Sequence, residues 1–144
     1  MMILRRGQEI MTSLDTNILV YAVDAQEARK HSIACTIVEN ALASLEYRIS
    51  TQVLFEFSNV SLRKLKLTAV QTLAFLEDFS RLHCIVQTPD LVFRAVDIKA
   101  AYDISLADAM ILAAAERAQC DELLTEDLND GQRYAGVVAR NPFK

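Results

Sequence analysis

The chain has 144 residues, 52% of them hydrophobic, with only three Gly and two Pro and a net charge of −4. That length is one domain's worth, the apolar content excludes disorder, and so few breakers predict a helix-rich fold with short connections. The net charge lacks the basic footprint of a nucleic-acid binder, so contact with phosphates would have to run through a bridging cation.

Residues 1–10 show no periodicity, and their charges follow rather than precede the apolar residues, the reverse of a secretory signal. They read as a poorly ordered extension, with Met11 as an alternative start and a domain over 11–144. No stretch approaches the run of about 18 apolar residues that a membrane span requires, so a soluble, cytoplasmic protein is expected. Thr12–Asp15 reads as a short strand, with a helical turn from Ile18 to about Val23. A longer helix covers about Ala28–Ala43, where Ile33, Ile37, Val38 and Leu42 recur at helical spacing. Tyr47–Ser50 is a strand, Val53–Leu65 and Ala69–Leu82 are helices, and Cys84–Gln87 is a strand. Pro89 suits the first turn of a helix over about Asp90–Tyr102. Leu106–Ala118 is a strongly apolar helix, and Glu122–Thr125 and Val137–Arg140 are strands. Short strands alternating with helices make βα units, hence an α/β fold with a parallel sheet and helices on both faces.

Ligands of open α/β sheets bind beyond the carboxyl ends of the strands, which directs attention to acids at those junctions. Asp15 ends the first strand and is also a suitable helix cap. Glu56 is the only charged residue between Arg48 and Arg63. With Gln52, Asn59 and Arg63 it forms a narrow polar stripe, either a solvated face or the wall of a polar pocket. Asp108 is isolated in the first turn of the apolar helix, where Ser105 and Asp108 have capping-box spacing. Asp127 and Asp130 lie in a polar turn after Thr125, with Asp127 nearer the strand end. Isolated acids at separate strand ends and helix starts suit Mg²⁺ or Mn²⁺, hard cations that take oxygen ligands. Cys35, Cys84 and Cys120 are far apart and form no metal or disulfide pattern. His31 and His83 have no partner at ligand spacing. Arg29, Lys30, Arg63, Lys64 and Lys66 are candidates for phosphate contact, with Arg63 foremost because it continues the Glu56 stripe.

From Met11 to Phe143 the chain resembles a PIN domain, in particular the toxin ribonucleases of bacterial VapBC pairs. The resemblance is carried by Leu14-Asp15-Thr16-Asn17, Val53-Leu54-Phe55-Glu56, Ser105-Leu106-Ala107-Asp108-Ala109, Leu124-Thr125-Glu126-Asp127 and Asn141-Pro142-Phe143. It implies a three-layer α/β/α fold with a short-stranded parallel sheet. It also implies a site in which Asp15, Glu56 and Asp108 bind one or two catalytic Mg²⁺ or Mn²⁺ ions. Asp127 is then the fourth acid, Asp130 its alternate, and Asn17 and Thr125 support the site. The implied activity is metal-dependent endoribonuclease cleavage to 5′-phosphate and 3′-hydroxyl products. The implied partners are RNA, a VapB-type antitoxin and a second copy of the chain in a homodimer. A catalytically silent PIN-like binding module is the alternative, and loss of one of the acids would favour it.

Overall fold

A computed structural model describes residues 9–144. The expected extension over 1–10 therefore lies mostly outside the described residues. The elements are β1 (Thr12–Leu14), α1 (Thr16–Val23), α2 (Ala28–Leu42), β2 (Tyr47–Ser50), α3 (Thr51–Arg63) and α4 (Ala69–Phe79). They continue with β3 (His83–Ile85), α5 (Pro89–Tyr102), α6 (Leu106–Arg117), β4 (Glu122–Leu124), β5 (Arg133–Tyr134) and β6 (Val137–Arg140).

The strands form one sheet in the order β3-β2-β1-β4-β6-β5. All neighbours are parallel except β5 and β6, which pair antiparallel as a hairpin. The sheet is thus parallel, as sequence patterning predicted, with one antiparallel edge strand that the patterning did not indicate. Two residues are too few to show an alternation, so β5 is silent in the sequence. Its turn has positive φ at both Ala135 and Gly136, which matches the right-handed twist of a tight hairpin.

Helix starts are set by side-chain caps. Asp15, Ser50, Thr68 and Ser105 each accept a hydrogen bond from a backbone N–H of the first turn. This is why α1 begins at Thr16 and α3 at Thr51, two residues earlier than apolar periodicity alone indicates. Helix α6 is the centre of the core: Ala109 to Ala115 are all buried, and its run of alanines lets it lie close to the sheet and α5. Beside it, Leu14, Ile49, Leu123 and Ala139 bury one residue from each of four parallel strands.

From β1 the chain steps to β2 and then β3 in one direction, whereas β4 lies on the other side of β1. Right-handed crossovers put the two halves' helices on opposite faces. The carboxyl ends of β1 and β4 then diverge at the switch point, where a crevice opens.

Candidate metal centre at the sheet switch point

Asp15 leaves β1 into this crevice. Its backbone N–H donates to the Leu124 carbonyl at 3.0 Å, extending the β1–β4 pairing by one residue. Its Oδ1 accepts from the Thr16 N–H at 2.6 Å and its Oδ2 from the Thr125 hydroxyl at 2.6 Å. Thr125 follows β4 and is completely buried. Its Oγ1 in turn accepts from the Asp127 N–H at 3.1 Å. One hydroxyl therefore fixes both the Asp15 carboxylate and the backbone of Asp127.

Asp127 is oriented further by Asn17, whose Nδ2 donates to its Oδ2 at 3.0 Å. The other amide atom, Asn17 Oδ1, is buried and has no hydrogen-bond partner. Asp108 is placed by the cap of α6, its N–H donating to Ser105 Oγ at 3.0 Å. The result is a cluster in which one carboxylate oxygen from each of Asp15, Asp108 and Asp127 lies within 4.8 Å of the others.

Glu56 reaches the same crevice from α3 and stands outside that trio. Its Oε1 accepts from the Thr16 hydroxyl at 2.5 Å and its Oε2 from Gln52 Nε2 at 2.8 Å. Glu56, Asp127, Thr16 and Asn17 line a cleft of about 510 Å³ that runs along α1 and α3 to Asn59 and Lys64. Arg63 does not line it, whereas Lys64, the C-cap residue that follows it, does.

Burial raises the pKa of a carboxylate, and neighbouring carboxylates add to this. Asp15 is pushed from 3.8 up to about 7, first by burial and further by Asp127 and Asp108, against the hydrogen bonds from Thr125 and Thr16. Asp108 is raised by burial and then by Asp127 and Glu56, while Ser105 opposes the shift. Asp127 is raised by burial and then by Glu126 and Glu56, with Asn17 opposing. Among the described residues, none of the three is paired with a Lys or Arg. The donor set is all carboxylate oxygen with a buried amide oxygen beside it, which fits a hard divalent cation.

Of the acids singled out in the sequence, the structure brings together Asp15, Asp108 and Asp127, with Glu56 at the cleft wall. Asp130 is elsewhere engaged, accepting from the Asn141 N–H at 2.8 Å. Two of the basic candidates also have other work. Arg29 donates to the Phe143 carbonyl at 2.6 Å, and Lys30 pairs with Glu126 at 2.8 Å. Gln52 holds Glu56 across the i, i+4 spacing that marked the polar stripe in the sequence, whereas the roles of Thr16 and Glu126 carry no local signal, because their partners lie in other elements.

A family model described as the PIN domain matches residues 13–136. No curated protein matches the chain. Among solved structures, a toxin–antitoxin complex from Klebsiella pneumoniae is 26% identical at a TM-score of 0.65, covering 91% of this chain and 97% of that one. VapBC2 from Rickettsia felis, bound to a DNA fragment from its promoter, is 24% identical at 0.64, covering 90% and 97%. VapC20 of Mycobacterium tuberculosis, a toxin that cleaves the Sarcin-Ricin loop, is 17% identical at 0.63, covering 78% and 86%. The last two likenesses are of fold.

Proposed function

The chain belongs to the PIN-domain family, and from that premise we propose that it is a metal-dependent endoribonuclease, the toxin of a type II toxin–antitoxin pair. The observation that carries the reading is the convergence of Asp15, Asp108 and Asp127 within 4.8 Å at the switch point of the sheet. Those three residues would hold Mg²⁺ or Mn²⁺. When bound, such an ion polarises a phosphodiester oxygen and lowers the pKa of a water at the site.

The protein's own part is orientation. Thr125, Thr16 and Asn17 hold Asp15 and Asp127 in fixed positions through directional hydrogen bonds, so little ordering remains to be done when substrate arrives. Glu56 keeps one lone pair free on each oxygen. It is thereby able to accept a hydrogen bond from a water in the cleft, or to join a second ion. The acids also explain the charge of the chain: their negative field repels RNA phosphates until a cation is bound, so substrate and metal binding are coupled. Lys64 at the far end of the cleft is the basic residue best placed for a phosphate, a role sequence reasoning assigned to Arg63.

The likeness to a toxin–antitoxin complex supports a VapB-type antitoxin as partner. Exposed Phe55, Leu62, Val70 and Leu73 on α3 and α4 supply an apolar surface for such a partner. Val92, Phe93 and Val96 on α5 supply a second face, suited to a second copy of the chain. Among the described residues no helix is long and apolar enough to cross a membrane.

The test is RNA cleavage in Mn²⁺ or Mg²⁺ by the wild type, Asp15→Asn and Asp108→Asn. Cleavage by the wild type alone, abolished by chelator, is expected. Activity that survives either substitution or chelation would sink the metal-nuclease reading.

A further inference from the structure

Asp127 sits in an irregular turn between β4 and β5, and an unsupported loop does not hold a carboxylate to the tolerance a metal site needs. The turn is gripped at both ends. At Glu126, Oε1 accepts from the Tyr21 hydroxyl at 2.6 Å and Oε2 from Lys30 Nζ at 2.8 Å. Lys30 also donates to the Tyr21 oxygen at 3.3 Å. Its ammonium lies 5.0 Å from the Tyr21 ring centre and 5.7 Å from that of Phe143. The two rings meet edge to face at 5.1 Å.

At the other end, Asp130 accepts the Asn141 N–H, and Asn141 Oδ1 accepts the Phe143 N–H at 2.9 Å. Phe143 is 5% exposed, and Arg29 holds its carbonyl to α2. The segment after β6 thus ties the turn to the α1–α2 pair. Glu126, neutralised by Lys30, is kept on the outer side of the turn while its neighbour Asp127 faces the acids.

We infer that residues 141–143 form a latch that sets the position of Asp127. In this arrangement Lys30, Tyr21, Glu126 and Phe143 are positioning residues for the metal centre. The inference rests on the reading that Asp127 holds the ion. Lys30 and Phe143 do not themselves line the cleft or join the cluster; they reach the site through Glu126 in the turn and through Tyr21 on the cleft wall. Removing groups that orient metal ligands typically costs about 10–100-fold in metal affinity.

The experiment is Mn²⁺ titration of the metal-free protein by calorimetry or by electron paramagnetic resonance of the free ion, with Tm and circular dichroism recorded for each variant. Phe143→Ala and Lys30→Met are expected to weaken Mn²⁺ binding by about tenfold, with cleavage recovering as Mn²⁺ is raised to saturation. Phe143→Tyr should restore wild-type affinity. Arg94→Ala breaks an ion pair of the same 2.8 Å length away from the turn and should leave Mn²⁺ affinity unchanged. If Phe143→Ala does not fold, Tyr21→Phe, which removes one hydroxyl, takes its place with the same direction of effect. Lowered Tm with unchanged Mn²⁺ affinity would overturn the latch and leave only a structural contact. Should Asp127→Asn bind Mn²⁺ like the wild type, the assignment of Asp127 itself fails, a result separable from failure of the latch alone.

Discussion

Strand β4 has acids at both ends, and the two ends treat them in opposite ways. At its start, Glu122 accepts from Arg140 at 3.1 Å and from the Thr12 hydroxyl at 2.9 Å, and Asp121 accepts the Met11 N–H at 2.9 Å. Each carboxylate there has its own donors, as a folded chain ordinarily arranges. Past its end, Asp127 joins Asp15 and Asp108; burial raises the pKa of all three, and Asp127 adds to the rise at Asp15 and Asp108. The same turn contains the contrast in miniature. Burial works to raise Glu126, but the Lys30 and Tyr21 hydrogen bonds prevail and hold it below the usual range, while the adjacent Asp127 is held above it. Cations were therefore within reach of this part of the fold, and the trio is left without one. Buried, unpaired acids gathered at a switch point are the pattern on which the proposed metal centre rests.

The largest effect that separates the two ends is on cleavage. Asp108→Asn and Asp127→Asn should each reduce RNA cleavage to background, yet raise the stability of the metal-free protein by ~1–2 kcal/mol as one like-charge repulsion is removed. That corresponds to a rise in Tm of a few degrees, roughly 3–8 °C, measured by thermal denaturation in chelator. A drop in Tm for both variants would break the comparison, since the acids would then be caps and not a strained cluster.

The pH dependence follows next in size. Asp15 binds its proton more tightly folded than unfolded, so the metal-free protein loses stability as pH rises from about 4 to 7 and is flat above that. The total for this one group is at most about 4 kcal/mol. Metal binding needs the ionised acids, so Mn²⁺ affinity should climb over the same range and level off above about pH 7. Urea denaturation at several pH values, with and without Mn²⁺, measures both trends, and stability that rose with pH in chelator would contradict the assignment.

A smaller effect is expected at the α6 cap. Ser105→Ala should cost about 1 kcal/mol and lower cleavage through the looser aim of Asp108, where Ser105→Thr should keep both. The smallest belongs to the satisfied end of β4. Arg140 is 56% exposed in its side chain, so Arg140→Ala should change stability by no more than about 0.5 kcal/mol and leave cleavage intact. A large loss of cleavage in that variant would show that the two ends are not independent.

Much of this arrangement was legible in the linear chain because strong local rules enforce it. Apolar spacing marked α2 and the buried α6, Pro89 marked the start of α5, and Ser105 marked the turn that presents Asp108. Strand edges moved by one or two residues, as at β3, where pairing with β2 selects His83–Ile85 over the more apolar run that follows. The rank of Asp127 over Asp130 needed only the distance from the strand end. Arg63 and Lys64 show the limit of helical spacing: Arg63 returns to the Gln52 face after three turns, yet the groove is lined by Lys64, just past the helix end.

What the sequence by itself determined is the α/β class, the helix starts and the isolation of Asp15, Glu56 and Asp108 among apolar residues. Those features follow from interactions within about four residues, where the identity of the neighbours is enough. Tertiary structure decided that Asp15, Asp108 and Asp127, separated along the chain by 93 and 19 positions, share one point in space with Glu56 beside them. It also decided that Glu126 answers to Lys30, and that Phe143 packs against Tyr21 and the Lys30 ammonium. These depend on strand order and on the parallel pairing of β1 with β4, which no local spacing records. The acids of one turn differ in role because the fold gives one a cation and the other two carboxylates.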